Sequence, residues 1–322
     1  MSPALRALLH EVIDYAGLFP PASLDLDPAI RNYARYRGER DAWMLSRFIC
    51  PAAKLALLER YRDELFSQKP PLRFSVLGRG GESASGFLEN LSGDVDAIRA
   101  FYTAHGRYVR ADAFEARLPG APLRSRDGRS VSDLLRAAAD TLGPIAAGGL
   151  ACFYEPPPGC DAAALAYFAD AIATFNRDYA TTPAGFKLRT GGTEPGAIPA
   201  CELVAAAIAA CRDVRIPMKF TAGLHHPVRH GNAELGAKMH GFLNVFVAGV
   251  LAHVYNLEGT ALTAVLSDED AKAFQFTDDY LLYRTHAVTP EDVEAARRRF
   301  VISFGSCSFD EPREDLTALG LR

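Results

Sequence analysis

The amino-acid sequence predicts a (β/α)₈ barrel, also called a TIM barrel, formed by a single domain over residues 1–322. Short β-branched or aromatic runs alternate with alanine- and leucine-rich stretches, which is the pattern of a parallel sheet covered by helices. Eight such pairs follow one another, and no low-complexity linker divides the chain into halves. The same alternation also allows a doubly wound open sheet, which is the architectural alternative.

Each unit consists of a strand-like run followed by a helical stretch. The predicted strands lie near residues 12–19, 43–49, 72–78, 108–117, 149–155, 184–189, 216–221 and 300–305. The predicted helices lie near residues 25–37, 51–66, 84–104, 130–142, 161–178, 198–213, 231–256 and 310–319. Pro51, directly after a strand, is a favourable helix start because proline is tolerated in a first turn.

The seventh unit is longer than a barrel requires. Roughly 80 residues separate the seventh strand from the eighth, where one helix of about 15 residues would suffice. Residues 231–290 are therefore predicted to be a helical insertion. The stretch 231–256 is apolar on much of its surface, so it either packs under the inserted segment or meets another subunit, and a homo-oligomer is expected.

The composition excludes several classes of function. Hydrophobic residues make up 49% of the chain, charged residues make up 23%, and the formal net charge is -4. We therefore expect no nucleic-acid partner and no membrane partner. The N-terminal run lacks the apolar core of a signal peptide, and the most apolar stretch, 241–254, is too short to span a bilayer. Six cysteines without a CxxC pair indicate reduced thiols in a cytoplasmic protein.

Two lysines lie in the middle of short apolar strands, Lys187 in AGFKLRTGG and Lys219 in IPMKFTAGL. Only six of the 35 basic residues are lysines, so the chain otherwise uses arginine for positive charge. A buried lysine can lose its proton and act as a nucleophile toward a carbonyl group, whereas arginine stays protonated. The two lysines are therefore candidates for an amine-based catalytic site.

Strand alternation brings further charged side chains to the same interior. It places Lys187 and Arg189 on one face of the sixth strand, and it predicts that Glu115 and Glu155 point inward near the ends of the fourth and fifth strands. Two carboxylates beside two amines would let one amine stay neutral and would allow proton transfer. The alternative is that these groups form satisfied ion-pair layers with a structural role.

Sequence motifs around these lysines resemble those of a known family. The run from Gly185 to Arg229 is similar to the stretch of deoxyribose-phosphate aldolases that reads strand, Lys-x-x-Thr-Gly, helix, strand, Lys-x-x-Gly-Gly. The later segment FGSCSF, residues 304–309, resembles the glycine–serine turn after the last strand of the same class I aldolases. Leu224 replaces the second glycine of the family's pattern, and the long insertion has no counterpart there.

The resemblance implies a lyase that binds its substrate as a Schiff base and needs no cofactor. Lys187 is similar to the imine-forming lysine, and Lys219 is similar to the second lysine, which lowers the pKa of its partner. Glu115 stands closest to the aspartate that relays protons in the family, although glutamate replaces aspartate here.

Glycine-rich turns at the predicted barrel mouth favour a small anionic substrate, phosphorylated or carboxylated. Exposed backbone N–H groups can cradle such an anion, and Arg189 adds a bidentate donor. The candidate turn residues are Gly191, Gly192, Gly223, Gly305 and Ser306. Tight βα turns with no ligand are the alternative, because glycine is common in such loops. The turn from Gly78 to Gly81 is another anion candidate.

Histidines supply a rival hypothesis, a metal-dependent isomerase or hydrolase. His225, His226 and His230 follow the seventh strand, and the spacing of His226 and His230 could bring two imidazoles to one divalent metal. His225 or His226 could instead act on the substrate as a general acid or base. Pro227 interrupts the helix that the metal site would need.

Asp14 and Arg47 are open between structure and binding, and Cys307 is considered as a thiol nucleophile. Asp14, at the end of the first strand, could bind the substrate by a hydrogen bond, and Arg47 on the second strand is predicted to point inward. Cys307 lies beside two serines, and the sequence places no histidine next to it. A non-catalytic barrel that binds small molecules is the third hypothesis for the whole chain.

Overall fold

Eight parallel strands close into a barrel in the computed structural model, which describes residues 1–66, 69–125, 130–146, 149–179 and 183–322. Around the barrel the strands follow the order β1-β8-β7-β6-β5-β4-β3-β2. Their bounds are β1 Ile13–Tyr15, β2 Leu45–Pro51, β3 Leu72–Leu77, β4 Val109–Arg117, β5 Ala151–Glu155, β6 Ala184–Arg189, β7 Met218–Thr221 and β8 Val301–Ser306. The (β/α)₈ prediction is confirmed, and the open-sheet alternative is wrong because β1 pairs with β8.

Helices cover the outside of the barrel. The described α-helices are Pro3–Leu9, Leu26–Tyr36, Arg62–Leu65, Ala84–His105, Gly120–Ser125, Ser130–Ala146, Ala162–Asp178, Cys201–Asp213, Phe242–Tyr255, Gly259–Ser267, Pro290–Arg299 and Asp310–Ala318. Short 3₁₀ turns occupy Ala42–Met44, Pro195–Ala197 and Ala271–Ala273. Because the eight strands are parallel, their C-terminal ends all lie at one mouth of the barrel, where loops lead into the next helices.

Aromatic packing fixes which strand residues point outward. Phe186 of β6 packs against Phe168 of helix Ala162–Asp178, with ring centroids 5.1 Å apart. Phe220 of β7 packs against Phe246 of helix Phe242–Tyr255 at 5.5 Å. Since neighbours along a strand alternate between faces, the adjacent lysines point into the barrel.

The segment after β2 is a 3₁₀ helix over Ala52–Tyr61, where the sequence predicts an α-helix from Pro51. Its buried side chains recur every third residue, at Ala52, Leu55, Leu58 and Tyr61. That spacing matches the three residues per turn of a 3₁₀ helix, so the apolar stripe stays on one face. Only Arg62–Leu65 forms an α-helical turn here.

The insertion between β7 and β8 contains helices, as predicted, and also strands. The helix predicted over 231–256 begins only at Phe242, because His230–Asn232 pairs with Ala237–Met239 in an antiparallel hairpin. The hairpin turn includes Gly236 with a φ of 60°. A second small sheet is antiparallel and consists of Phe274–Phe276, Leu281–Tyr283 and His286–Val288.

Helix Phe242–Tyr255 is buried within the chain itself. Its residues from Phe242 to Ala252 are all buried, and Phe246 contacts both Phe220 and Phe304 of the barrel. A Cβ atom on Gly249 would lie 2.3 Å from Val301 Cγ1, so only glycine allows the helix to approach β8 this closely. The apolar surface behind the homo-oligomer prediction is therefore covered by this chain, and that prediction stays untested.

Among the described residues, one helical stretch, Pro195–Asp213, is long and apolar enough to cross a membrane by length and composition alone. In the structure this stretch includes the helix Cys201–Asp213, which packs against two other helices, Ala162–Asp178 and Gly259–Ser267. Core helices of globular proteins commonly pass the same test, so this one stretch is weak evidence for a membrane partner.

Candidate active site

A cavity of about 770 Å³ opens at the mouth where the barrel strands end. Three of the predicted catalytic residues line it, namely Lys187, Glu115 and Glu155. The exposed fraction is 4% for Lys187, 1% for Glu115 and 5% for Glu155, so each side chain presents a small surface to the cavity. Other strand ends contribute Leu77, Arg117, Arg189, Thr221 and Gly305.

Lys187 lies between two carboxylates. Its Nζ is 2.9 Å from Glu115 Oε2 and 3.1 Å from Glu155 Oε2. The second oxygen of Glu155 accepts a hydrogen bond from Arg189 Nε at 3.1 Å. Strands β4, β5 and β6 are neighbours in the barrel, which explains why side chains distant in sequence meet here.

Lys219 is the register partner of Lys187 on β7, but it lies deeper and does not line the cavity. Its Nζ forms an ion pair with Glu115 Oε1 and lies 2.7 Å from Asp14 Oδ2. Glu115 therefore bridges the two lysines, with one oxygen on each amine. The two amines are held as parts of one charge cluster.

Asp14 is fully buried beneath the cavity, which corrects the expectation that it contacts substrate. Its carboxylate accepts hydrogen bonds from Ser303 Oγ at 2.6 Å and from the backbone N–H of Arg47 at 3.1 Å. Ser75 Oγ donates to the Glu115 oxygen that faces Lys219. Each carboxylate in the cluster thus has several donors, as a buried charge requires.

Arg47 points inward, as predicted, but it extends away from the cavity. Its Nη1 lies 3.5 Å from Asp14 Oδ1, and its Nε forms an ion pair with Asp112. Asp112 also pairs with Arg73 Nε at 2.8 Å, and Arg73 pairs with Glu11 at 2.6 Å. We call the whole series the ion-pair column: Glu11, Arg73, Asp112, Arg47, Asp14, Lys219, Glu115, Lys187, Glu155 and Arg189.

The charges in this column set the protonation of the cluster. Burial opposes the ammonium form of Lys187, but Glu115 and Glu155 outweigh burial and raise the pKa of Lys187. Burial likewise opposes the carboxylate form of Glu115, yet Lys187 and Lys219 hold the pKa of Glu115 well below its usual range. The pKa values of Asp14 and Glu155 are also lowered, because their cationic partners overcome burial. The two flanking carboxylates favour the ammonium form of Lys187, which runs against the expectation of a neutral amine there.

The predicted anion turns divide into two groups. Gly192, Gly223 and Gly305 line the cavity, whereas Gly191 and Ser306 do not. A Cβ atom on Gly191 would lie 2.8 Å from Gly223 Cα, so glycine there permits two loops to pack backbone against backbone. Ser306 is buried, and its Oγ donates to the Ser308 carbonyl at 2.7 Å. The expectation that Gly191 and Ser306 contact an anion is corrected on these grounds.

Positive charge reaches the cavity from three arginines. Arg79 pairs with Asp94 at 2.7 Å, and Arg189 pairs with Glu155. Arg117, at the end of β4, has no acidic partner within ion-pair distance among the residues that the structure describes. Arg117 is therefore a cation of the cavity wall without an ion pair in the part of the chain that the structure describes, although Glu194 and Glu234 line the same cavity. Arg117 was not among the predicted site residues.

The histidines do not assemble as the metal hypothesis requires. His225 lines the cavity, while His226 and His230 lie outside it with ring centroids 4.2 Å apart. His226 Nδ1 contacts Asp315, and His230 Nδ1 donates to the Val228 carbonyl at 3.1 Å. Within the described ranges, no group of three or more His, Cys, Asp or Glu side chains is arranged to hold a metal ion.

Alternation along the strands could have located some residues that the sequence analysis missed. Arg73 and Ser75 share the inward parity of β3, and Ser303 lies in register with Lys219. Asp112 could not have been found this way, because a register irregularity between β3 and β4 breaks the alternation before Glu115.

The fold and the site together define a class: a (β/α)₈ barrel with an ion-paired lysine cluster beside a cavity at its C-terminal mouth. Among solved structures, the chain is similar to a protein of Toxoplasma gondii provisionally assigned as a deoxyribose-phosphate aldolase. The two are 12% identical with a TM-score of 0.51, over 98% of this chain and 96% of that one. An apo-form structure with the same assignment and organism is 13% identical, has a TM-score of 0.44 and covers 70% of this chain and 80% of its own.

The likeness concerns the fold. At this low sequence identity it confirms the distant resemblance that the lysine motifs predict, and it does not transfer an activity. A comparison with protein-family models finds no match, and a comparison with curated proteins finds none either.

Proposed function

We propose that this protein is a lyase of the class I aldolase kind, in which Lys187 forms a Schiff base with a small carbonyl substrate. The observation that supports this most directly is the position of the Lys187 amine. It is the one lysine that lines the cavity among the described residues, and carboxylates lie on both sides of it. A nucleophile held beside a proton acceptor is the arrangement that covalent catalysis needs.

The carboxylates have a role in starting the reaction. The flanking carboxylates raise the pKa of Lys187 and favour its ammonium form, and the ammonium ion must give up a proton before the nitrogen can attack a carbonyl carbon. Glu155 Oε2, at 3.1 Å, lies on the cavity wall and is the acceptor we assign. Glu115 is tied to Lys219 and Ser75, which makes it the less available acceptor.

The same carboxylates support the intermediate. When the amine adds to the carbonyl and water leaves, the protonated imine carries one positive charge where the ammonium ion stood. Glu115 and Glu155 therefore stabilise the iminium ion as they stabilise the ammonium ion. The iminium ion accepts the electron pair of the bond between the α- and β-carbons, so that bond breaks, the β-hydroxyl gives up its proton to a carboxylate and the β-carbon leaves as an aldehyde. The protonated glutamate can then return a proton to the α-carbon of the enamine that remains on Lys187.

The substrate we propose is a small molecule with a phosphate or carboxylate group. Arg117 supports this assignment because a cation without an acidic partner on a cavity wall attracts an anion. Gly192, Gly223 and Gly305 line the same cavity as the Lys187 amine and add no side chains to it. We propose that the carbonyl end of the substrate faces Lys187 while its anionic end pairs with Arg117.

Borohydride trapping tests the proposal. The protein is incubated with acetaldehyde, pyruvate or glycolaldehyde phosphate, reduced, digested and mapped by mass spectrometry at each of its six lysines. We expect the adduct at Lys187, with the exposed amine of Lys238 in the same sample as the measure of nonspecific reaction. Equal labelling of Lys187 and Lys238 with every carbonyl compound would overturn the assignment.

One observation favours a second candidate, a purely structural role for the ion-pair column. Every member of the column already has an oppositely charged partner, as in a satisfied structural network. Under this hypothesis the barrel binds small molecules without catalysis. The trapping experiment separates the two, because a structural column predicts no adduct at Lys187 above the level at Lys238.

A further inference from the structure

Cys307 lies on the wall of the cavity next to a histidine that is distant in sequence. Its Sγ is 3.8 Å from Nδ1 of His225, and Oε2 of Glu311 is 3.3 Å from the same nitrogen. Cys307 and His225 both line the cavity. The three side chains come from the loop after β7, the turn after β8 and the first turn of helix Asp310–Ala318.

The contacts of His225 Nδ1 favour the protonated ring. A carboxylate only accepts hydrogen bonds, so the 3.3 Å contact with Glu311 is favourable when Nδ1 carries a proton. With Nδ1 protonated, the sulfur of Cys307 faces the same N–H group as an acceptor. Burial opposes a charged imidazole, but the hydrogen bonds to Cys307 and Glu311 raise the pKa of His225 to about 9. A sulfur that faces an imidazolium ion is stabilised as a thiolate.

Other titratable groups near this pair come from three elements that the structure describes. His226 follows His225 in the same loop, Tyr15 of β1 faces Cys307, and Asp310 lies beside Glu311 at the start of the helix. Burial raises the pKa of Tyr15, so the phenol stays neutral around pH 7. His225 is therefore the cation in direct contact with the sulfur.

We propose that Cys307 and His225 form a thiolate–imidazolium pair, a second nucleophilic site in the cavity that captures small carbon electrophiles covalently. With a haloacetamide, the sulfur attacks the methylene carbon, the new C–S bond forms, the carbon–halogen bond breaks and halide leaves. His225 keeps its proton throughout. The inference does not depend on an imine at Lys187, since it concerns a different nucleophile on the same cavity wall.

The other cysteines provide internal controls. Burial raises the pKa of both Cys50 and Cys152 to about 12, and it also raises the pKa of Cys211. Cys160 is only half-buried and therefore more accessible than Cys307, which is 7% exposed, but burial and Asp161 raise the pKa of Cys160. Accessibility and activation thus predict opposite orders of reactivity for Cys160 and Cys307.

The experiment is alkylation of the whole native chain with iodoacetamide, followed by mass spectrometry of each cysteine peptide over time. At pH 7 we expect Cys307 to react at least about tenfold faster than Cys160, because a thiolate reacts and a thiol does not. Between pH 6.5 and 8.5 the Cys307 rate should change little, while the Cys160 rate rises with pH. A Cys307 rate no higher than the Cys160 rate would overturn the proposal.

Two variants test the role of the histidine. His225→Gln removes the cation, and we expect the ratio of Cys307 to Cys160 rates to fall at least about fivefold at pH 7. Glu311→Gln keeps the imidazole, and a smaller fall is expected. The slow reaction of Cys50 and Cys152 in the same samples reports that the barrel is folded. If folded His225→Gln protein kept the wild-type ratio, the thiolate–imidazolium pair would be disproved.

Discussion

The two halves of the ion-pair column use different cations. In the half away from the cavity, Arg47 and Arg73 share the carboxylate of Asp112. In the half beside the cavity, Lys187 and Lys219 share the carboxylate of Glu115. The two arrangements have the same form, with one bridging acid between two bases, and they differ in whether the bases can release a proton.

The difference gives a physical reason for lysine, rather than arginine, at positions 187 and 219. Arginine stays charged at any working pH and offers a planar fork for two carboxylates, so it suits a permanent ion pair. Lysine can transfer its proton and attack a carbonyl group. Two of the six lysines occur in the half of the column nearer the cavity mouth, and both bases of the other half are arginines. The comparison therefore separates a half with permanent cations from a half whose bases can transfer a proton.

Exchanging lysine for arginine in one half, and arginine for lysine in the other, should have the largest effect on imine trapping. Lys187→Arg keeps a positive charge between Glu115 and Glu155 but cannot form an imine, so borohydride trapping should fall at least about a hundredfold. Arg47→Lys should leave trapping at Lys187 in place and add no adduct at position 47, which lies away from the cavity. Adduct mass mapping measures both, and circular dichroism checks the fold. Persistent trapping elsewhere in Lys187→Arg protein would assign the imine to another amine.

The sequence was sufficient for the architecture because the signals there are repeated eight times. Alternating strand and helix patterns located all eight barrel strands, and inward parity placed Lys187, Lys219, Glu115 and Glu155 in one interior. Local irregularities were not predictable in the same way. The irregular register near Asp112 and the three-residue period over Ala52–Tyr61 depend on pairing and packing that a strand or helix pattern alone does not specify.

Site details that depend on side-chain contacts were also beyond the sequence. A neutral amine was expected at Lys187 because burial disfavours a charge. In the structure two carboxylates lie within 3.1 Å of this amine and favour its ammonium form, and such distances follow from the closed barrel. Cys307 and His225 are 82 positions apart and meet only because β7 and β8 are adjacent. Strand order brings such pairs together, whereas spacing along the chain does not.

Removing the bridging acid from each half should show whether the two halves are electrostatically independent. Glu115→Gln and Asp112→Asn each leave two cations with one fewer anion, and each should lower the free energy of unfolding by about 3–5 kcal/mol. Only Glu115→Gln should lower the pKa of Lys187, because Glu115 contacts that amine and Asp112 does not. Urea unfolding measures stability, and the pH profile of imine trapping measures the pKa. A shifted profile in Asp112→Asn protein would show that the halves are not separate.

Glu155, in the half of the column beside the cavity, should contribute to the loss of folding stability at low pH. The pKa of Glu155 is lowered from 4.5 in the folded state, so its stabilising contribution is present above about pH 4.5 and is lost as pH falls through the folded pKa. We expect the stability difference between wild type and Glu155→Gln to be largest near pH 7 and to shrink below pH 4.5. Urea midpoints from pH 7 to pH 3 test this. A difference that stays constant over that range would mean that Glu155 is not ion-paired.

The smallest expected effect concerns the hydroxyl groups that support each carboxylate. Ser303→Ala removes the 2.6 Å hydrogen bond to Asp14, which keeps Lys219 and the Arg47 N–H as partners, so the loss should be about 1.5–3 kcal/mol. Ser267→Ala, at an exposed helix end, is the matched control and should change stability by less than about 0.5 kcal/mol. Because Asp14 lies where the two halves meet, imine trapping at Lys187 should remain in Ser303→Ala protein. Loss of trapping without loss of stability would show that Asp14 is needed for imine formation at Lys187.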